Sequence, residues 1–171
     1  MLKVKPSQNA DSRTATGTVS KEELLSNSVQ HIGDVQKACA FFAQKIIEAG
    51  SIHDHTKISG INDFYDSFSK GLKGDAFKAE KWAQSHYTIE RHHLNDHCPD
   101  DVTLIDVLER VADITMAGMA RSGSIYDATL DAEILQRAYK NTVNMLAANI
   151  EVIKEVPNCA DTTDYPSEGK G

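Results

Sequence analysis

Residues 20–50 read SKEELLSNSVQHIGDVQKACAFFAQKIIEAG. Ser20 followed three positions later by Glu23 is a capping box, the pairing in which side chains satisfy the first free N–H groups of a helix. Behind it Val29, Ile32, Val35, Cys39, Phe42 and Ile46 recur at steps of three and four, which puts them along one helix face. The spacing predicts a long helix to about Ala49, closed by Gly50. His31 falls beside the apolar stripe, in register with Val35, Ala38 and Phe42, so its ring is expected to point inward.

The same periodicity continues outward from this stretch. NDFYDSFSK (62–70) and DAFKAEKWAQSHYTIER (75–91) read as two helices divided by the glycine turn GLKG, with Phe77, Trp82 and His86 on one side of the second. RHHLNDHCPDD (91–101) is too polar and turn-prone for a long helix, and Pro99 interrupts it. From Thr103 the run TLIDVLERVADITMAGM is strongly periodic and carries Asp106, Glu109 and Asp113 along one side. A last helix is expected from Asp131 to Glu155. No segment alternates as a half-buried strand does. The expected fold is an all-α bundle of five or six helices over residues 19–156. Residues 1–18 and 157–171 hold little to bury and read as flexible tails, or as arms lying on a neighbouring subunit.

Composition narrows the functional classes. A net charge of −7 disfavours general nucleic-acid binding, which needs a basic face, but leaves room for a small phosphorylated substrate held by a few cations. Three cysteines, Cys39, Cys98 and Cys159, without CxxC spacing suit a reducing compartment. No apolar run reaches membrane-spanning length, and the first residues lack the apolar core of a signal peptide. A cytoplasmic protein, without a membrane partner and able to form a homo-oligomer, is the simplest expectation.

All seven histidines, His31, His53, His55, His86, His92, His93 and His97, lie between positions 31 and 97. Imidazoles concentrated among acids point to a transition-metal site. Their order along the chain is a histidine on the first long helix, His53-Asp54 after the next turn, and Asp113 on a later amphipathic helix. That H…HD…D order resembles the HD-domain superfamily of metal-dependent phosphohydrolases. The resemblance covers roughly residues 28–120. Additional histidines between the pair and the last Asp, here His86 and His92-His93, are typical of members that hold two metals. Lys57 stands where the HD-x-x-K branch places a lysine against the substrate phosphate. HDHTKIS, WAQSHYTIERHH and DVLERVADI also look like an uncharacterised HD-like family common in phage genomes, which would place the protein in a host cytoplasm. No GYP-type motif is present, so nothing favours cyclic dinucleotides.

The resemblance implies an all-helical fold with the site at its centre. It assigns His31, His53, Asp54 and Asp113 to a first ion, with Asp54 shared by a second ion on His86, His92 and His93. Either His92 or His93 is an alternative proton donor or substrate-orienting group. A His and carboxylate set without thiolate suits Mn, Fe, Co, Ni or Zn better than Mg. On this reading Asp54, Lys57 and His92 are the catalytic candidates, with Lys57 and Arg91 facing phosphate. Glu109, one turn before Asp113, is either a partner that orients a ligand imidazole or an exposed acid. His55 and His97 read as surface residues, and Trp82 and Tyr87 as core. The expected activity is hydrolysis of a phosphoester or phosphoanhydride of a nucleotide or related molecule. A di-iron oxygenase of the same fold and a non-catalytic nucleotide-sequestering module are the competing expectations.

Overall fold

The computed structural model describes residues 1–15 and 17–153. The chain is mostly helical, as its periodicity predicts. Its helices are α1 (Lys21–Ile52), α2 (His55–Ser59), α3 (Ile61–Ser69), α4 (Asp75–Lys78), α5 (Lys81–Ile89), α6 (Leu104–Ser122) and α7 (Ala132–Ala148). Helix α6 packs on α1 and on α7, while α2, α3, α4 and α5 form a cluster of short helices packed on one another. Leu94, Val102 and Ala138 are buried together, with Leu104, Val107, Leu130 and Ile134 against them. This apolar knot holds the 91–103 connection against the starts of α6 and α7. The last residues expected to form a tail, 157–171, lie outside the described residues.

Helix α1 starts as its cap predicts, with the Glu23 N–H donating to Ser20 Oγ at 3.1 Å. It does not stop at Gly50. The chain remains helical through Ile52, His53 is the C-cap, and Asp54 turns into the left-handed region at φ 55° and ψ 22°. Helices usually end by placing a glycine in that conformation, because a Cβ there is crowded; Asp and Asn are the tolerated exceptions. Asp54 is the one non-glycine residue with positive φ among those described. The bend is therefore made by the acid of the His-Asp pair itself.

Three other expectations are corrected. Residues 75–91 form two helices, because Glu80 is extended as the N-cap of α5 and its carboxylate pairs with Lys70. Helix α7 ends at Ala148, and the chain continues as a strand, β2 (Ile150–Val152). That strand pairs in parallel with β1 (Leu2–Val4), Leu2 opposite Ile150 and Val4 opposite Val152. So the N-terminal segment is not a free tail. Gln30 of α1 also donates to the Lys5 carbonyl, and Asn9, in a short 3-10 turn (Gln8–Ala10), donates to Glu23. Strands of three residues are too short to show alternation, which is why the pattern did not reveal them.

Two helical glycines test the packing. A Cβ on Gly118 would stand 2.4 Å from the Ser124 carbonyl oxygen and 2.8 Å from the Tyr126 nitrogen. Both are backbone atoms that cannot step aside, so Gly118→Ala is expected to destabilise by about 1–3 kcal/mol. Gly50 has nothing within 4 Å of its Cβ position. Gly50→Ala is expected to stabilise by about 0.5–1 kcal/mol through helix propensity. Chemical denaturation of the two variants checks both signs.

Candidate metal centre

The turn at Asp54 carries His53 and Asp54 toward α5, α6 and the 91–94 turn. His86 comes from α5, His92 and His93 from the turn after it, and Glu109 and Asp113 from α6. Four imidazoles turn Nε2 inward. The Asp54 carboxylate lies 3.4 Å from His86 Nε2, 3.7 Å from His92 Nε2 and 3.5 Å from His53 Nε2. His93 Nε2 is 2.9 Å from His86 Nε2. Asp113 closes the other side at 3.6 Å from His53 Nε2.

Acids stand behind three of the four rings. His53 Nδ1 donates to Glu109 Oε1 at 2.9 Å, and His92 Nδ1 stands 3.1 Å from the same oxygen, off the line of a hydrogen bond. His86 reaches its acid through a hydroxyl. The Thr56 hydroxyl donates to Glu90 Oε1 at 2.6 Å, and the Thr56 backbone N–H donates to that oxygen at 2.9 Å. A hydroxyl has one proton, so at its other contact, 2.6 Å from His86 Nδ1, it must accept. The proton of neutral His86 is thus on Nδ1, and its Nε2 lone pair faces Asp54. Histidines fixed in this way by an acid behind the ring are typical metal ligands. Trp82 adds orientation by stacking on the His86 ring, 4.8 Å between centroids and 15° between planes.

Burial sets the charges. Burial pushes His86 below the ordinary imidazole range, outweighing the pull of Asp54. His93 is pushed down to about 3 by burial, with His92 and His86 adding to the effect. Burial alone would raise the Asp54 carboxyl, but the hydrogen bond and charge of Lys57, helped by His53 and His86, keep it below its usual value. Glu109 likewise stays low against burial because His92 and His53 face it. Asp54 and Glu109 are therefore anionic at neutral pH, and His86 and His93 neutral, the forms that bind metal. Within the cluster Asp54 Oδ1 and both ring nitrogens of His92 are buried without a hydrogen-bond partner. Such orphaned atoms are uncommon in folded proteins and are explained where an ion completes them. Two donor triads satisfy the spacing for an ion, His53–Asp54–His92 and Asp54–His86–His93, and both use Asp54.

A profile of the family of unknown function DUF5662 matches residues 20–156. The chain belongs to that family. The match takes in all of the clustered residues and begins at the cap of α1, so β1 lies outside it. No curated protein and no solved structure matches the chain.

His31 does not join the cluster. It is exposed on the same unbroken helix that ends at His53, and 22 positions along an α-helix separate the two by roughly 33 Å. The expectation failed because α1 runs through Gly50 instead of turning back there. Arg91 is also reassigned. Its guanidinium grips Asp106 with two hydrogen bonds of 2.7 and 3.0 Å and reaches Asp101 at 2.9 Å, so it is spent inside the fold. His92 is 1 % exposed and backs onto Glu109, which suits a ligand and not a proton donor to substrate. Lys57 is half-buried and paired with Asp54. His55 and His97 are exposed, as expected. Thr56, Glu90 and Arg121 were not singled out by the sequence. Thr56 and Glu90 had a weak signal, since Thr56 adjoins His55 and Glu90 precedes His92 by two positions, although the ring they support is that of His86.

Beside the cluster lies a pocket of about 450 Å³ between the end of α1 and α6. His53, Asp54, Glu109 and Asp113 form its polar side, Ile46, Ala112 and Met116 its apolar wall, and Arg121 also lines it.

Two outcomes follow. In the metal-free protein His86 and His93 titrate below the unfolded value of about 6.5. The unfolded chain then takes up protons that the folded one refuses, so stability is full above that pH and falls as pH drops toward about 3. The melting temperature in chelator should fall as pH drops below about 6.5, and His93→Gln should flatten the slope; a rise on acidification would contradict the burial. Arg91→Ala should cost about 1–3 kcal/mol in stability by leaving Asp106 unpaired. A normal stability with a changed substrate affinity would restore the phosphate role.

Proposed function

We propose that the protein is a metal-dependent phosphohydrolase acting on a nucleotide or similar small phosphorylated molecule, with two transition-metal ions around Asp54. The observation that carries this reading is the pair of donor triads sharing Asp54, with His53 and His86 held Nε2 inward by hydrogen bonds behind their rings. Mn, Fe, Co, Ni or Zn suits this nitrogen and oxygen set. His53, Asp54 and His92, with Asp113 alongside, would hold one ion; Asp54, His86 and His93 would hold the other. Ions of this kind polarise phosphoryl oxygens and make water a stronger acid.

The pocket supports the same reading. Its volume falls within the range of small-molecule sites. Without cations its wall of Asp54, Glu109 and Asp113 would repel an anionic phosphate, so an anionic substrate and bound ions require each other. Arg121, in the last turn of α6, is a cation on that wall and has no ion-pair partner among the described residues. Lys57, paired with Asp54, is a further cation beside the cluster. We assign Lys57 and Arg121 to the substrate phosphate, and the apolar wall to the remainder of the molecule. The HD-type resemblance enters here through His53-Asp54, the later histidines and Asp113, and no longer through His31.

The test is a screen of protein loaded with each metal against nucleoside mono-, di- and triphosphates and cyclic nucleotides, with metal measured in parallel. Asp54→Asn keeps the shape but loses the shared charge, and is expected to abolish turnover. Lys57→Ala is expected to lower kcat/KM ten- to hundredfold, the loss of one charge-assisted hydrogen bond of about 1.5–3 kcal/mol, with metal content unchanged. His86→Ala should take the ion count from two toward one. Metal-dependent nucleotide binding without cleavage would replace the hydrolase by a sequestering module. Uptake of dioxygen by the iron form would replace it by an oxygenase.

A further inference from the structure

The longest helix, packed on α6 and the N-terminal segment, leaves an apolar stripe uncovered among the described residues. None of the 32 residues of α1 is buried. Leu25, Val29 and Ile32 are 62 %, 59 % and 55 % exposed, and Cys39 is exposed beyond them. They follow one another at steps of four, three and seven, the spacing of a helix seam that packs against another helix. Met119 of α6 is also exposed, and so is Met116, at 68 %.

The area is that of a molecule missing a partner. The chain exposes 12805 Å². A compact monomer of its mass, 18.8 kDa, exposes about 8300 Å². Allowing residues 154–171 the largest area that a chain of that length can expose still leaves an excess of roughly 2000 Å². Obligate dimers bury about 1000–2500 Å² on each partner, so the excess is what one such interface needs. Residues 154–171 of the chain cannot supply the cover, since KEVPNCADTTDYPSEGKG offers only Val156 and Tyr165 as large apolar side chains. A second copy can, because it brings an identical stripe of the same length.

We infer that the protein is a homodimer in which α1 packs through the Leu25–Val29–Ile32–Cys39 stripe on the same face of a second copy. The stripe leads to the pocket, because Ile46, seven positions after Cys39 on α1, lines its apolar wall beside Met116 of α6. The partner then narrows the pocket mouth and excludes water from it. None of this depends on bound metal, so the inference stands or falls apart from the proposed function.

Sedimentation equilibrium of the metal-free full chain at micromolar concentration tests it. The expected mass is twice 18.8 kDa. The double variant Val29→Asp/Ile32→Asp should sediment as one chain with its helical circular dichroism retained. Maleimide labelling followed by peptide mass spectrometry supplies a measurement that needs no variant: Cys39 should be protected in the native protein and labelled in urea. A single-chain mass for the wild type, an unchanged mass for the double variant, or rapid native labelling of Cys39 would overturn the inference.

Discussion

The structure turns on one residue held in an unfavourable conformation at the end of a helix. Asp54 carries a Cβ in the left-handed region and a carboxylate oxygen buried without a partner. Each costs free energy in a chain with nothing bound, of the order of 1–3 kcal/mol. Strain and unsatisfied groups gathered at one point are what a binding site looks like when its ligand supplies the missing interactions. Around Asp54 the fold places four imidazoles with Nε2 turned inward, and the outer nitrogens of His53 and His86 are already committed to hydrogen bonds. The hypothesis that this is a metal centre rests on that convergence.

The rest of the molecule fixes the convergence in place. The Arg91 guanidinium clamps the turn bearing His92 and His93 to Asp106 at the start of α6. The same Asp106 carboxylate accepts from the Thr103 N–H and hydroxyl, at 2.7 and 2.9 Å. Glu109 follows one turn along that helix and Asp113 one turn further, which sets the acid behind His53 and the acid beside it. On the opposite side the Phe64, Trp82 and His86 rings form a stack, with 4.1 Å between the first two centroids. Glu90 and Thr56 pin the first turn of α2. A side chain displaced by an ångström in any of these supports would displace a donor.

Much of this was legible in the sequence. The helical periods of α1, α3 and α6, the Ser20 cap, the polar break at 91–101 and the cluster of histidines around His53-Asp54 all correspond to structure. His86 was rightly expected to point inward, and Glu109 is the acid behind an imidazole. What could not be read were the places where one local signal competed with another. Gly50 is a fair stop signal, yet an Asp four residues later makes the turn, and the difference removes His31 from the site. Arg91 beside two histidines resembles a phosphate ligand until Asp106, fifteen residues away, is seen to hold it. Three-residue strands and a hydroxyl relay leave no periodic mark at all.

X-ray absorption at the metal edge of the Mn- or Fe-loaded protein reaches the central claim most directly. The account predicts a shell of nitrogen and oxygen at about 2.0–2.2 Å with the outer-shell scattering of about two imidazoles per ion. It also predicts a metal–metal vector at about 3.5–4 Å that disappears in Asp54→Ala. An all-oxygen shell without imidazole scattering, or a spectrum unchanged by removing Asp54, would show that the ions bind elsewhere and that the cluster is only a set of buried polar residues.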